Sequence, residues 1–87
     1  MNQLGLVAYV DELGRRVERE RMRQGLSHEE AAARAGVATY TYLKVERGRS
    51  ASGQRVNPNL YVLLAIAGAF GIDLRDLLPP APSATTR

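Results

Sequence analysis

Between Gly25 and Gly48 the chain reads GLSHEEAAARAGVATYTYLKVERG, and this stretch decides the fold. Ser27 stands three residues before Glu30, the spacing of a capping box. The hydroxyl accepts from a free amide of the first turn while the glutamate reaches back to the cap. The run Ala31-Ala32-Ala33 that follows is strongly helix-forming, and Gly36 stops it. A second helix then occupies about residues 39–47 and ends at Gly48. Small or apolar residues recur at Ala31, Ala32, Ala35, Val37, Tyr42 and Val45. That spacing predicts two helices crossing at a steep angle. Ala32 allows a close approach, Gly36 supplies a positive backbone angle, and Val37, Tyr42 and Val45 seat the second helix on the first.

Working outward, Leu6, Val10, Leu13 and Val17 are spaced four, three and four apart, the inner face of an amphipathic helix ending near Gly25. Its other face carries Arg15, Arg16, Glu18, Arg19 and Glu20, read as a solvated face with local ion pairs. Beyond Gly48, the stretch RSASGQRVNP has no periodicity and reads as a loop. Asn57-Pro58-Asn59 opens the next helix, with Leu60, Leu63, Leu64, Ala67 and Phe70 as its apolar stripe. Asp73 caps a short last helix holding Leu74, Leu77 and Leu78, and Pro79-Pro80 stops it. The prediction is a compact all-α domain over residues 1–78, with helices at about 5–24, 27–35, 39–47, 59–70 and 73–78. Residues 79–87 are expected to form a disordered tail.

Composition narrows the class. Eighty-seven residues suffice for one small domain. The absence of cysteine excludes disulfides and thiolate metal sites and favours a reducing, cytoplasmic setting. No apolar run is long enough to span a bilayer, and the first residues lack the pattern of a secretory signal, so no membrane partner is expected. Eleven of the twelve cations are arginine and the other is Lys44, for a net charge of +3. Arginine's planar fork suits phosphate, and an arginine bias equally reflects genome composition.

The motifs in order, LGRRVERERMRQGLSHEEAAARAGV, then VERG, then NPNLYVLLAIAGAFGIDLRDLL, resemble the phage-repressor and Cro type of helix-turn-helix regulator over roughly Leu13 to Leu78. The resemblance implies a lambda-repressor-like five-helix domain whose third helix enters the DNA major groove. Carried over by position, Thr39, Tyr40 and Lys44 are the base readers, and Ser27, His28, Arg47, Arg49 and Arg55 contact phosphate. His28 stands where the family usually has glutamine. Arg21 and Glu46 match a family ion pair tying the first helix to the end of the third. Tyr42 takes an apolar core position, while Tyr40 reads as either a groove contact or an aromatic lying along the helix.

Three departures from the family pattern stand out. Ala38 replaces the usual cap of the recognition helix, and capping by Thr39 instead would shift the outward set by one residue. Ala31 replaces a leucine, leaving space for Tyr42 or Met22. The segment from Ser50 to Val56 exceeds the usual tight turn and reads as either a DNA-contacting arm or a tolerated insertion.

The resemblance further implies a homodimer on double-stranded DNA. Phe70, Ile72, Leu74, Leu77 and Leu78 form an apolar end of which some must be core, and whatever remains outside is the first interface candidate, with Leu4, Leu6 and Val7 as a second choice. Small stand-alone repressors, controller proteins of restriction-modification systems and antitoxin-type regulators share this layout. The expected function is sequence-specific regulation of transcription, as a repressor of bacterial or phage origin. The alternative is a protein-interaction module with DNA binding secondary. No cofactor is expected. Neither a catalytic triad nor a metal-ligand set surrounds His28, the single histidine, so an enzyme is not expected.

Overall fold

The computed structural model describes residues 3–80. Five helices follow one another: α1 (Gln3–Arg23), α2 (His28–Ala35), α3 (Thr39–Arg47), α4 (Leu60–Phe70) and α5 (Leu74–Leu77). α1 packs on α3, α2 packs on both α3 and α4, and α5 closes the end against α4 and α1.

The local signals act as their chemistry requires. The Ser27 hydroxyl accepts from the Glu30 amide at 3.0 Å, and the Ser27 amide donates to Glu30 Oε1 at 2.8 Å. These bonds hold the Glu30 carboxyl below its usual range, first through the Ser27 amide. Gly36 ends α2 at φ 71°, and the Val37 amide returns to the Ala32 carbonyl at 3.1 Å, which turns the chain sharply into α3. Asn59 caps α4 through the Val62 amide at 2.8 Å, and Asp73 caps α5 with a box closed by Asp76.

The core gathers Leu13, Val17, Leu26, Ala31, Ala32, Tyr42, Val45, Leu63, Ile66, Ala67, Phe70 and Leu77. Burying a side chain such as Ile66 contributes about 1.5–3 kcal/mol, and Ile66 is fully enclosed. Two helices approach closely at Gly14. A Cβ there would stand 2.4 Å from the Glu46 carbonyl oxygen and 2.6 Å from that of Val45. Hydrogen on this α-carbon is what lets α1 touch the α3 backbone.

Several expectations need correction. Of the apolar set divided between core and dimer surface, Phe70 and Leu77 fall to the core, because the α4–α5 turn folds both back under α2 and α1. Ile72, Leu74 and Leu78 are half-buried against the same core. On α4 the inner stripe is Leu63, Ile66, Ala67 and Phe70, which leaves Leu60 and Leu64 exposed. Leu6 is also half in solvent. Of the two residues expected to fill the space left by Ala31, Met22 is exposed, and Tyr42 is enclosed in the same core as Ala31.

The chain remains docked beyond Leu78. Pro79 is buried, and its carbonyl accepts from the Tyr9 hydroxyl at 3.0 Å. Arg16 donates to the Leu78 carbonyl at 3.2 Å. The rest of the expected disordered tail, residues 81–87, lies outside the described residues. Among the described residues no helix is long and apolar enough to cross a membrane.

Candidate nucleic-acid interface

α3 divides into an inner and an outer side. Tyr42 and Val45 are buried, and Tyr42 is wholly enclosed. Tyr40, Lys44 and Arg47 follow at i, i+4 and i+7, one stripe on the opposite side, with Thr39 at its edge. Ala38 is the cap residue, with extended backbone and no side-chain hydrogen bond. The helix therefore begins at Thr39, with Ala38 and not Thr39 in the cap position.

The inner side is locked by a polar cluster. Arg21 donates to Glu46 from Nε at 2.7 Å and from a terminal nitrogen at 3.4 Å, and to the Leu26 carbonyl at 2.9 Å. The Tyr42 hydroxyl donates to the same Glu46 oxygen that takes Arg21 Nε, at 2.5 Å. The Glu46 side chain is only 4% exposed and that of Arg21 is 11% exposed, so the pair is shielded from screening. The hydrogen bond to Glu46 raises the Arg21 guanidinium above its ordinary value despite burial. Burial pushes the Tyr42 phenol up strongly, and the Glu46 carboxylate adds to the effect. No buried side-chain nitrogen or oxygen among the described residues lacks a partner.

His28 belongs partly to this cluster. Its Nε2 lies 3.3 Å from Glu46 Oε1, and its ring tilts against Tyr42 with centroids 6.4 Å apart. The ring is thus oriented from within while one edge stays open to solvent. Glu29 and Glu30 in the same first turn put negative charge at the α2 terminus beside Ser27 and His28, which opposes an anion there.

The segment after α3 is ordered as a hairpin. Arg49 and Arg55 pair as an antiparallel bridge. It is flanked by bonds from the Val56 amide to the Gly48 carbonyl at 3.1 Å and from the Ser50 amide to the Gln54 carbonyl at 2.8 Å. The Gly53 amide returns to Ser50 at 2.9 Å with φ 86° at Gly53, the glycine position of a three-residue hairpin loop. Because the ladder bonds flank the pair, Arg49 and Arg55 are the close, non-hydrogen-bonded partners, and their side chains leave the same face. Both are exposed, and neither has an acidic partner among the described residues.

The hairpin also touches the recognition stripe. The Ala51 amide donates to the Tyr40 hydroxyl at 3.0 Å, and the Lys44 ammonium sits 5.0 Å from the centroid of the Tyr40 ring. Thr39, Tyr40 and Lys44 are thus brought together with Arg47, and the hairpin carries Arg49 and Arg55 beside them. Ser27 and His28 lie at the start of α2, where His28 meets α3 through Glu46 and Tyr42. Two participants escaped the sequence reading. Gly14 was signalled by a glycine inside a helical pattern, whereas the Ala51 amide, being backbone, had no signal at all.

From Thr39 to Asn59 the chain has four cations, Lys44, Arg47, Arg49 and Arg55, and one acid, Glu46. The acid is turned inward and neutralised by Arg21. The outer surface of this segment therefore carries only positive charge. Among the described residues no group of three His, Asp or Glu side chains is arranged to hold a metal ion.

A family profile described as helix-turn-helix matches residues 17–77. Comparison of the sequence with curated proteins finds no match. Among solved structures, the chain is similar to the crystal structure of the restriction-modification controller protein C.AhdI from Aeromonas hydrophila, with 34% identity and a TM-score of 0.70. The match covers 82% of this chain and 98% of that one. With the profile spanning α2 and α3 and reaching α5, the chain belongs to the helix-turn-helix family of the phage-repressor and Cro type.

Proposed function

We propose that this protein is a sequence-specific, double-stranded DNA-binding regulator of transcription that acts as a homodimer. One observation carries the reading: the outer surface of α3 and its hairpin bears four cations and no carboxylate, and the single acid of the segment is spent inward on Arg21. A convex helix with unopposed positive charge at its end suits the major groove flanked by phosphates. Lys44 and Thr39 read base edges. Arg47, Arg49 and Arg55 hold phosphate oxygens, and the Arg49–Arg55 pair relieves its mutual repulsion there. Ser27 and His28 meet phosphate at the α2 terminus, a weaker contact because of Glu29 and Glu30. The controller protein it resembles supports a small autonomous regulator of the same kind.

A single such module covers few base pairs. A two-fold dimer sets two recognition helices one DNA turn apart, roughly 34 Å, on a palindromic operator. Its interface is the exposed side of α4, with Leu60, Tyr61 and Leu64 at 62, 78 and 52% exposure. The protein acts as a repressor in a bacterial or phage setting, within the cytoplasm.

The test is a titration against duplexes selected from a randomised pool and against random DNA, at several salt concentrations. A regulator gives a selected complex at least about a thousandfold tighter than random DNA, with log affinity falling by about 0.9 per phosphate contact per log unit of salt. Lys44→Ala removes discrimination at one base position at about 1–3 kcal/mol. Arg49→Ala weakens all duplexes alike and reduces the salt slope by about one. Equal affinity for every duplex overturns the reading and leaves a protein-interaction module in its place.

A further inference from the structure

We infer that the hairpin over residues 48–56 is a specificity element that acts on the recognition helix from behind: it fixes the Tyr40 ring through the Ala51 amide, and the ring in turn sets where the Lys44 ammonium stands. The inference rests on the reading of Lys44 as a base-contacting residue, and it makes Tyr40 a positioning residue instead of a reader.

The chain of contacts is continuous. The hairpin has its own internal order. Beyond the ladder bonds, the Gln54 amide donates to Ser50 Oγ at 3.1 Å, and the Ser50 and Ser52 hydroxyls share a bond at 3.0 Å. At its base, Val56 and Arg55 line a cleft of about 310 Å³ together with Leu6, Val7 and Val10 of α1. At the Gly48 junction the chain passes close to the Asp11 carboxylate, since a Cβ there would lie 2.6 Å from Asp11 Oδ1. A loop with these internal bonds presents the Ala51 amide to α3 in a defined orientation. The Tyr40 hydroxyl accepts that amide at 3.0 Å, which pins a ring that is otherwise half in solvent.

Pinning the ring matters because Lys44 is a long, flexible side chain. A free lysine on a helix surface samples many rotamers, and ordering it on DNA costs conformational entropy. Here the ammonium already rests over the Tyr40 ring at 5.0 Å, one helical turn along. With the ring held at its far end by the hairpin, the ammonium is offered to the groove from one place. Because Tyr40 Oη is engaged as an acceptor, the ring is not free to swing into the groove itself. Displacing it would break the Ala51 bond. This also gives the extra segment a use that an arginine-bearing arm alone would not require.

The bond can be broken from either side without dismantling its surroundings. Tyr40→Phe keeps the ring and removes the hydroxyl. Ala51→Pro removes the amide at the second residue of a tight turn, where proline is favoured, and Ser50 before it is not helical. Affinity is measured on a duplex selected from randomised DNA, on the same duplex with each base pair substituted, and on random DNA, beside Lys44→Ala as the benchmark. Each variant is expected to lose roughly twofold to tenfold in discrimination at the base pair that Lys44→Ala affects, the worth of one net hydrogen bond. Binding to random DNA stays unchanged, and the double variant loses no more than either single one. If Lys44→Ala alters base preference and neither single variant does, the hairpin has no such role and the DNA-binding reading stands. Equal losses on selected and random DNA, or additive losses in the double variant, also overturn it. If Lys44→Ala itself leaves base preference unchanged, the assignment of Lys44 falls and the inference with it.

Discussion

Gly14 on α1 lies against the backbone of Glu46 on α3 so closely that a methyl group in place of its hydrogen would stand 2.4 Å from the Glu46 carbonyl oxygen. The obstacle is main chain, which has no rotamer to change. Substituting alanine therefore forces α1 and α3 apart and loosens Leu13, Val17 and Val45 together. Alanine is the better helix former by about 1 kcal/mol, so a position governed by propensity alone would gain stability. Gly14→Ala is instead expected to lose about 1–3 kcal/mol, the ordinary cost of overpacking. Urea unfolding followed by circular dichroism measures it, and a gain in midpoint would show that the two helices have room to spare.

The same contact surface carries the Arg21–Glu46 pair, whose two halves depend on each other. Glu46→Ala leaves the Arg21 guanidinium enclosed with only the Leu26 carbonyl as partner. The expected loss is about 3–5 kcal/mol, a large share of what so small a domain possesses. Tyr42→Phe is milder and carries a pH signature. The folded chain holds the Tyr42 proton more tightly than the unfolded one, because burial and Glu46 both raise the phenol above its ordinary value of 10.0. The stability linked to that proton is complete below that value and declines as pH rises past it. Wild-type protein should therefore lose stability above that pH more steeply than Tyr42→Phe, in matched urea titrations. Parallel slopes would mean that Tyr42 ionises as freely folded as unfolded.

Ala38 offers the opposite kind of test. Its backbone is extended, at φ −64° and ψ 145°, as a cap residue requires, and it lacks only an oxygen. Ala38→Ser is expected to stabilise the domain by about 0.5–2 kcal/mol by accepting a free amide of the first turn of α3. The change leaves the outward residues in place, so base preference should be the same before and after. A higher thermal midpoint with altered preference would mean that the helix start had moved.

These positions also mark where the sequence was readable. The capping box at Ser27, the turn at Gly36 and the inward Tyr42 were legible because each rests on bonds or packing between residues close in the chain. α4 was harder. Its sequence LYVLLAIAGAF has no charged residue to mark a solvent side, so a stripe through Leu60 and Leu64 looked as suitable as the true one through Leu63 and Ile66. The hairpin was hidden for another reason. A single bridge between Arg49 and Arg55 is too short to show alternation, and its contact with Tyr40 is made by a main-chain amide. Which of the C-terminal apolar residues are core could not be divided, because the burial of Phe70 and Leu77 depends on how α4 and α5 fold back on α1 and α2, a long-range relation that periodicity does not carry.

That correction moves the proposed dimer surface, and the move is testable. Leu60, Tyr61 and Leu64 are large, apolar and exposed on one side of α4, while Ile66 on the other side is fully enclosed. Leu64→Asp changes only an exposed position of the monomer, so its stability at low concentration should shift by no more than about 0.5 kcal/mol. At a two-fold interface the same change places two carboxylates in an apolar contact, because each copy contributes the same patch. Sedimentation should then find a monomer where the wild type is a dimer, and affinity for a palindromic operator should fall while that for a half-site holds. Ile66→Ala makes the contrast, since it is expected to cost about 2–5 kcal/mol through the cavity it leaves. A Leu64→Asp protein that remains dimeric would shift the contact to the exposed Leu4 and Leu6 at the start of α1.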